Sequence, residues 1–95
     1  MEITGQTAVV TGGASGLGKA AAEMLASKGA KVAVLDMNGD AAETVSRTTG
    51  GLGMECDVTD PEKVQIALGK ISDSIGVPRM CINAAGVGTA GFVIG

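Results

Sequence analysis

The sequence predicts an α/β fold built on a parallel sheet, and three observations predict it. Short apolar runs that read as buried strands alternate along the chain with stretches of helical periodicity. A glycine-rich turn stands between the first run and the first helix, where a strand feeds a helix N-terminus. The second run ends on an acid, Asp36, eighteen residues after Gly18, the last glycine of that turn.

The first strand is Thr7-Ala8-Val9-Val10-Thr11 and the second Lys31-Val32-Ala33-Val34-Leu35-Asp36, both apolar on two faces as buried parallel strands are. Between them Leu17, Ala20, Ala21, Met24 and Leu25 recur at helical spacing, and Gly29 supplies the stop after Lys28. These pieces make one β-α-β unit. Asp40-Ala41-Ala42-Glu43 resembles a helix start with a carboxylate cap, followed by a short helix that ends near Thr48-Thr49. Leu52 to Val58 reads as a third strand, weakened by Gly53. Asp60-Pro61-Glu62 starts a further helix whose apolar stripe is Val64, Leu68, Ile71 and Ile75, stopped by Gly76 and Pro78. Arg79-Met80-Cys81-Ile82-Asn83 is the fourth strand.

Right-handed crossovers then give a doubly wound, Rossmann-type sheet, of which residues 1–95 hold the first four strands only, in the order 3-2-1-4. No domain boundary or linker interrupts the alternation. In that order strand four is an exposed edge, and Met80, Ile82 and the tail Phe92-Val93-Ile94 lack a covering layer. Cys56 and Cys81 fall on strands roughly 14 Å apart, too far for a disulfide, and read as small core residues.

Composition narrows the function classes. A chain of 95 residues with Phe92 as its only aromatic must pack a modest core from Ala, Val, Ile, Leu and Met. The sixteen glycines lie between apolar segments and follow no fixed period, against a fibrous or disordered chain. The net charge is −3, and the seven bases are scattered from Lys19 to Arg79, which argues against nucleic acid and acidic membranes as partners. No apolar run approaches the ~20 residues of a membrane helix, and Met1-Glu2-Ile3-Thr4-Gly5 has no secretory pattern, so a soluble cytoplasmic protein is expected. Two cysteines and no histidine make neither a disulfide framework nor a zinc site.

The most informative stretch is Thr11-Gly12-Gly13-Ala14-Ser15-Gly16-Leu17-Gly18. A helix N-terminus offers unpaired N–H groups and a partial positive charge, and the missing β-carbons of Gly12, Gly16 and Gly18 let a pyrophosphate approach closely. Ser15 can add a hydroxyl donor. A merely flexible turn would not call for three spaced glycines in a β-α-β unit. Gly13 to Lys19 also fits G-x-x-x-x-G-K, the phosphate loop of nucleoside triphosphatases, but Ala20 stands where that motif needs a Mg²⁺-binding hydroxyl.

That rival leaves Asp36 without a role, whereas a dinucleotide fold places there the acid that binds the adenosine ribose hydroxyls. A solvated acid at a strand end is the plain alternative. A carboxylate at Asp36 would face the 2′-phosphate of NADP, and neither Met37 nor Asn38 can neutralise it, so NAD is the expected cofactor. Lys19 is the only nearby base, and it follows the last glycine on the helix.

These residues resemble the short-chain dehydrogenase/reductase family, whose pattern T-G-x-x-x-G-x-G is met by Thr11, Gly12, Gly16 and Gly18. The resemblance runs from Thr7 to Gly88 and includes Cys56-Asp57-Val58-Thr59 at the family's adenine-binding place. It implies that the Asp57 carboxylate accepts from the adenine amino group while the Val58 N–H donates to a ring nitrogen. The family's N-N-A-G after strand four appears as Asn83-Ala84-Ala85-Gly86, lining the adenosine ribose, with Ala84 in place of the second Asn. Leu35-Asp36, Asp57-Val58-Thr59 and Val64-Gln65-x-Ala67-Leu68 look most like the type-2 3-hydroxyacyl-CoA dehydrogenase branch.

The resemblance implies a hydride transfer between a secondary alcohol and NAD, assisted by a Ser and a Tyr-x-x-x-Lys that lie well beyond strand four. This sequence has no Tyr, so it names no catalytic residue, and Ser72 and Ser74 read as solvated surface of the last helix. The expectation is the N-terminal cofactor-binding segment of a longer oxidoreductase that takes a small-molecule substrate and, as family members do, forms homo-oligomers. A non-catalytic NAD-binding module or redox sensor is the alternative, and a triphosphatase the third reading.

Overall fold

A computed structural model describes residues 3–12, 14 and 16–84, and the backbone of 91–94. Its elements are β1 (Thr7–Thr11), α1 (Gly16–Ser27), β2 (Lys31–Asp36), α2 (Gly39–Thr49), β3 (Leu52–Glu55), α3 (Pro61–Ser74), β4 (Pro78–Asn83) and β5 (Gly91–Ile94). The sheet order is β3-β2-β1-β4-β5. The first four strands are parallel and stand in the expected order 3-2-1-4.

Alternation along each strand sorts the core onto the two faces of the sheet. Ala8 and Val10 of β1, Val32 and Val34 of β2, and Met80 and Ile82 of β4 meet Ala22 and Leu25 of α1 and Ala42 and Val45 of α2. On the other face Val9, Ala33, Leu35 and Cys56 pack against Ala67 and Ile71 of α3. The sheet is therefore covered on both sides, which explains why β1 and β2 are apolar at every interior position. Cys56 and Cys81 are both free, as their separation in the strand order requires. Thr7, the buried polar residue of β1, donates its hydroxyl to the Ile75 carbonyl just past α3 at 2.9 Å.

Four expectations are corrected. The sheet does not stop at four strands: β5 pairs antiparallel with β4, Asn83 opposite Gly91 and Met80 opposite Ile94. β4 is thus an interior strand, its outer row of N–H and C=O groups satisfied by the chain that follows it. The third strand ends at Glu55 rather than Val58, because its partner β2 ends at Asp36, the residue paired with Glu55. Beyond it the Asp57 side chain captures the Thr59 N–H and turns the chain.

The cap of α2 is Asn38, not Asp40; its side-chain oxygen accepts from the Ala41 N–H at 3.1 Å, and Asp40 lies in the first turn. The face of α1 also differs. Gly18, Ala22 and Leu25 are buried, while Leu17 and Met24 are 65% and 49% exposed. Small side chains let this helix lie close to the sheet, and closeness here outweighs bulk. The α3 start stands as read, with the Asp60 carboxylate accepting from the Glu62 and Lys63 N–H groups and Pro61 in the first turn. Among the described residues no helix is long and apolar enough to cross a membrane.

Candidate functional site

The chain leaves β1 for β2 on one side and returns to β4 on the other, so a crevice opens beyond the C-terminal end of β1, where parallel sheets bind ligands. Three hydrogen bonds shape its floor. The Gly12 N–H donates to the Leu35 carbonyl at 2.7 Å, and the Ala84 N–H to the Thr11 carbonyl at 2.9 Å. The Thr11 hydroxyl donates to the Asn83 side-chain oxygen at 2.9 Å. Thr11 and Asn83, read as parts of two separate motifs, are thus one joint between β1 and β4.

Gly12 and Gly16 take φ angles of 69° and 55°, a left-handed backbone that side chains other than glycine's rarely accept. A β-carbon built on Gly16 would touch nothing within 4 Å, so this position faces open space. The first turn of α1 holds no acid, whereas α2 and α3 carry Asp40 and Glu62 there. The partial positive charge at the start of α1 is therefore not offset by a first-turn carboxylate, and the turn suits an anion.

Beside it lies a cleft of about 340 Å³ lined by Gly12, Asp36, Met37, Cys56, Val58, Thr59 and Ala84. The structure thus brings together four expected residues, Gly12, Asp36, Val58 and Ala84, from the ends of β1, β2 and β4 and the loop after β3. Asp57 instead borders an adjoining hollow with Met37, Glu55, Cys56 and Lys63. Leu17 turns its side chain to solvent, and Gly18 is buried within α1. Ser15, Ala85 and Gly86 lie outside the described residues. Another hollow, about 380 Å³, lies at the opposite end of β2 between Lys31, Gly50, Gly51 and Ile75. Among the described residues Lys31 is its only ionisable side chain, and its glycines, Gly50 and Gly51, follow the C-terminal end of a helix rather than precede an N-terminal one.

Asp36 is held from two directions. One carboxylate oxygen accepts from the Asn38 N–H at 2.9 Å, and the other from the Ala14 N–H in the glycine turn at 3.2 Å. Each oxygen retains acceptor capacity, so the pinned carboxylate can still take two hydroxyl donors. Asp57 accepts at one oxygen, Oδ1, from both the Thr59 hydroxyl at 2.6 Å and the Thr59 N–H at 3.0 Å. Those two bonds hold its pKa below the ordinary carboxylate value. Burial, with the Asp57 charge beside it, pushes the Cys56 thiol up, and burial does the same to Cys81. Neither cysteine is poised as a thiolate nucleophile.

Sequence reasoning passed over Met37 as a lining residue and gave Ala14, Cys56 and Thr59, quoted only within motifs, no role of their own. Ala14 acts through its backbone and carries no signal. Thr59, a hydroxyl two residues after an acid, fits a common turn pattern and could have been read.

With this geometry in view, the family model for short chain dehydrogenase matches residues 6–94. The chain belongs to the short-chain dehydrogenase family. D-threitol dehydrogenase of Mycolicibacterium smegmatis is 39% identical over 90% of this chain and 35% of its own. The 3-oxoacyl-[acyl-carrier-protein] reductase FabG of Vibrio cholerae is 39% identical over 92% of this chain and 36% of its own. The crystal structure of ribose-5-phosphate isomerase from Brucella melitensis 16M superposes with a TM-score of 0.83 at 42% identity, over 90% of this chain and 34% of that one. The chain spans about a third of the length of the curated relatives it matches. Short-chain dehydrogenases are oxidoreductases that bind a nicotinamide cofactor, and the open glycine turn and the cleft beside Asp36 fit the pyrophosphate and adenosine of such a group.

Proposed function

We propose that this chain is the NAD-binding segment of a short-chain dehydrogenase that passes hydride between a secondary alcohol and the cofactor. Asp36 carries the choice of NAD over NADP. Its carboxylate is fixed at the cleft by the Ala14 and Asn38 N–H groups and cannot swing away from a 2′-phosphate without breaking both bonds. The same rigidity prepares it for the two ribose hydroxyls. Gly12, Gly16 and Gly18 seat the pyrophosphate with Ser15 and the backbone of Leu17, while Asp57 and Val58 take the adenine and Asn83, Ala84, Ala85 and Gly86 border the ribose. NAD supplies the hydride acceptor, and these residues bind and orient it.

The proton at the substrate oxygen needs a general acid–base group, and this sequence has neither Tyr nor His. We assign that role to residues of a longer, homo-oligomeric, cytoplasmic protein containing this segment. The substrate class we favour is a 3-hydroxyacyl thioester or a related hydroxy compound. It rests on the wording of the Asp57 and Val64 motifs and on the reductase name of the Vibrio relative, which acts on a 3-oxoacyl group. An intact mass well above 9.3 kDa for the natural protein would support the longer chain.

Titration calorimetry on the chain tests the cofactor reading, with binding of NAD expected to exceed that of NADP. In the same experiment Gly18→Val is expected to weaken NAD by about tenfold or more, roughly 1.4 kcal/mol, because the side chain added on the buried face of α1 pushes the helix off the sheet and shifts the phosphate seat at its start. Equal affinity in a variant that still melts cooperatively would remove the turn from the site.

A further inference from the structure

The loop between β3 and α3 carries one hydrogen bond more than its shape requires. A turn of this kind needs only the bond from the Thr59 N–H to the Asp57 carboxylate, at 3.0 Å. The Thr59 hydroxyl adds a second bond to the same oxygen at 2.6 Å, the short distance expected of a hydroxyl on a carboxylate. Two donors of Thr59 on Oδ1 restrain the rotation of the carboxylate as well as its position. Among the described residues Oδ2 takes no hydrogen bond. Thr59 itself lines the cleft with Asp36, Val58 and Ala84, so the element that orients Asp57 is part of the site wall.

We propose that Thr59 is a positioning residue for base recognition, its hydroxyl holding Asp57 so that Oδ2 is presented to the exocyclic amino group of adenine. This rests on the reading above in which Asp57 takes the adenine. Without the hydroxyl the carboxylate keeps one bond, to the Thr59 N–H, and is free to rotate about it. The base then meets a mobile acceptor, and the ordering of that acceptor is charged to binding. The lowered pKa of Asp57, caused first by the Thr59 hydroxyl, accords with a charge held in one geometry. Serine preserves the hydroxyl and should preserve the function; valine keeps the shape of threonine and removes it.

The test is a pair of ligands against four proteins. NAD and nicotinamide hypoxanthine dinucleotide, which lacks the adenine amino group, are titrated by calorimetry into the full chain and its Thr59→Ser, Thr59→Val and Thr59→Ala forms. The parent and Thr59→Ser are expected to prefer NAD by about tenfold or more, the order of a hydrogen bond to a charged acceptor. In Thr59→Val and Thr59→Ala the preference is expected to fall below about threefold, chiefly through weaker NAD binding, with affinity for the hypoxanthine analogue little changed. A loss that struck both ligands equally would mark a structural role and overturn the proposal. So would a preference that survives in the valine and alanine forms, although Asp57 would then still be the adenine acceptor. A parent chain with no preference between the ligands overturns both the Asp57 reading and the role of Thr59. Cooperative melting of each form is the companion measurement, and the alanine form carries the test if the valine form does not fold.

Discussion

Asp36→Ala is expected to weaken NAD by about ten- to a hundredfold, from the roughly 1.5–3 kcal/mol of hydrogen bonding between hydroxyls and a carboxylate. Removal of the negative charge also relieves its repulsion of the NADP 2′-phosphate, so the ratio of the two affinities narrows from both sides. The structure adds a second consequence. Asp36 also receives the Ala14 N–H, so its loss frees the glycine turn as well as the ribose. The gain in NADP affinity should therefore be smaller than charge removal alone would give. Calorimetric titration of both cofactors into both proteins measures this. A parent that prefers NADP, or a ratio unmoved by the substitution, would sink the assignment of Asp36.

A large expected effect on stability belongs to Gly53→Ala. A β-carbon at this position of β3 would lie 2.6 Å from the Ala42 carbonyl carbon and 2.8 Å from the Glu43 nitrogen. Both atoms are backbone of α2 and cannot rotate aside, so the helix must lift from the sheet. Overpacking of this kind costs about 1–3 kcal/mol, and at the upper end the melting temperature should fall by roughly 10–20 °C for a domain of this size. Gly69→Ala is the control. Gly69 is exposed on α3, with nothing within 4 Å of its would-be β-carbon, and alanine there should stabilise the chain by about 0.5–1 kcal/mol. Thermal unfolding followed by circular dichroism separates the two, and similar melting of both variants would refute the close approach of α2 to β3.

Features written in local chemistry were legible before the structure. Asp60-Pro61 marks the start of α3 because a carboxylate cap and a proline act on their own turn, and Gly12 and Asp36 declare themselves by spacing from strand and helix. What depended on distant parts of the chain was not legible. Asn38 and Asp40 are both good caps, and the choice falls to Asn38, beside the turn that its N–H makes with Asp36. Gly18 and Ala22 carry too little apolar surface to mark the buried face of α1 by periodicity, yet they set its distance from the sheet. β5 exists because β4 offers it an edge, and Gly53, which reads as a flaw in a strand, is the place where α2 comes closest. In the site, Asp36 was legible as an acid but not as a brace, because the group it holds, the Ala14 N–H, is a backbone group with no sequence signal.

The joint between Thr11 and Asn83 bears on the order in which the molecule is made. Its two residues are 72 positions apart, and β1 cannot pair with β4 until the intervening chain has been synthesised. The unit β1-α1-β2 can assemble from nearby segments, while pairing with β4 is the longer-range step and is expected to be the slower one. The cleft needs that step, since Ala84 forms its wall only when β4 is docked. On the proposed reading, a nascent chain that already displays its glycine turn would still be unable to hold adenosine, and cofactor binding would arrive with the last parallel pairing of the sheet.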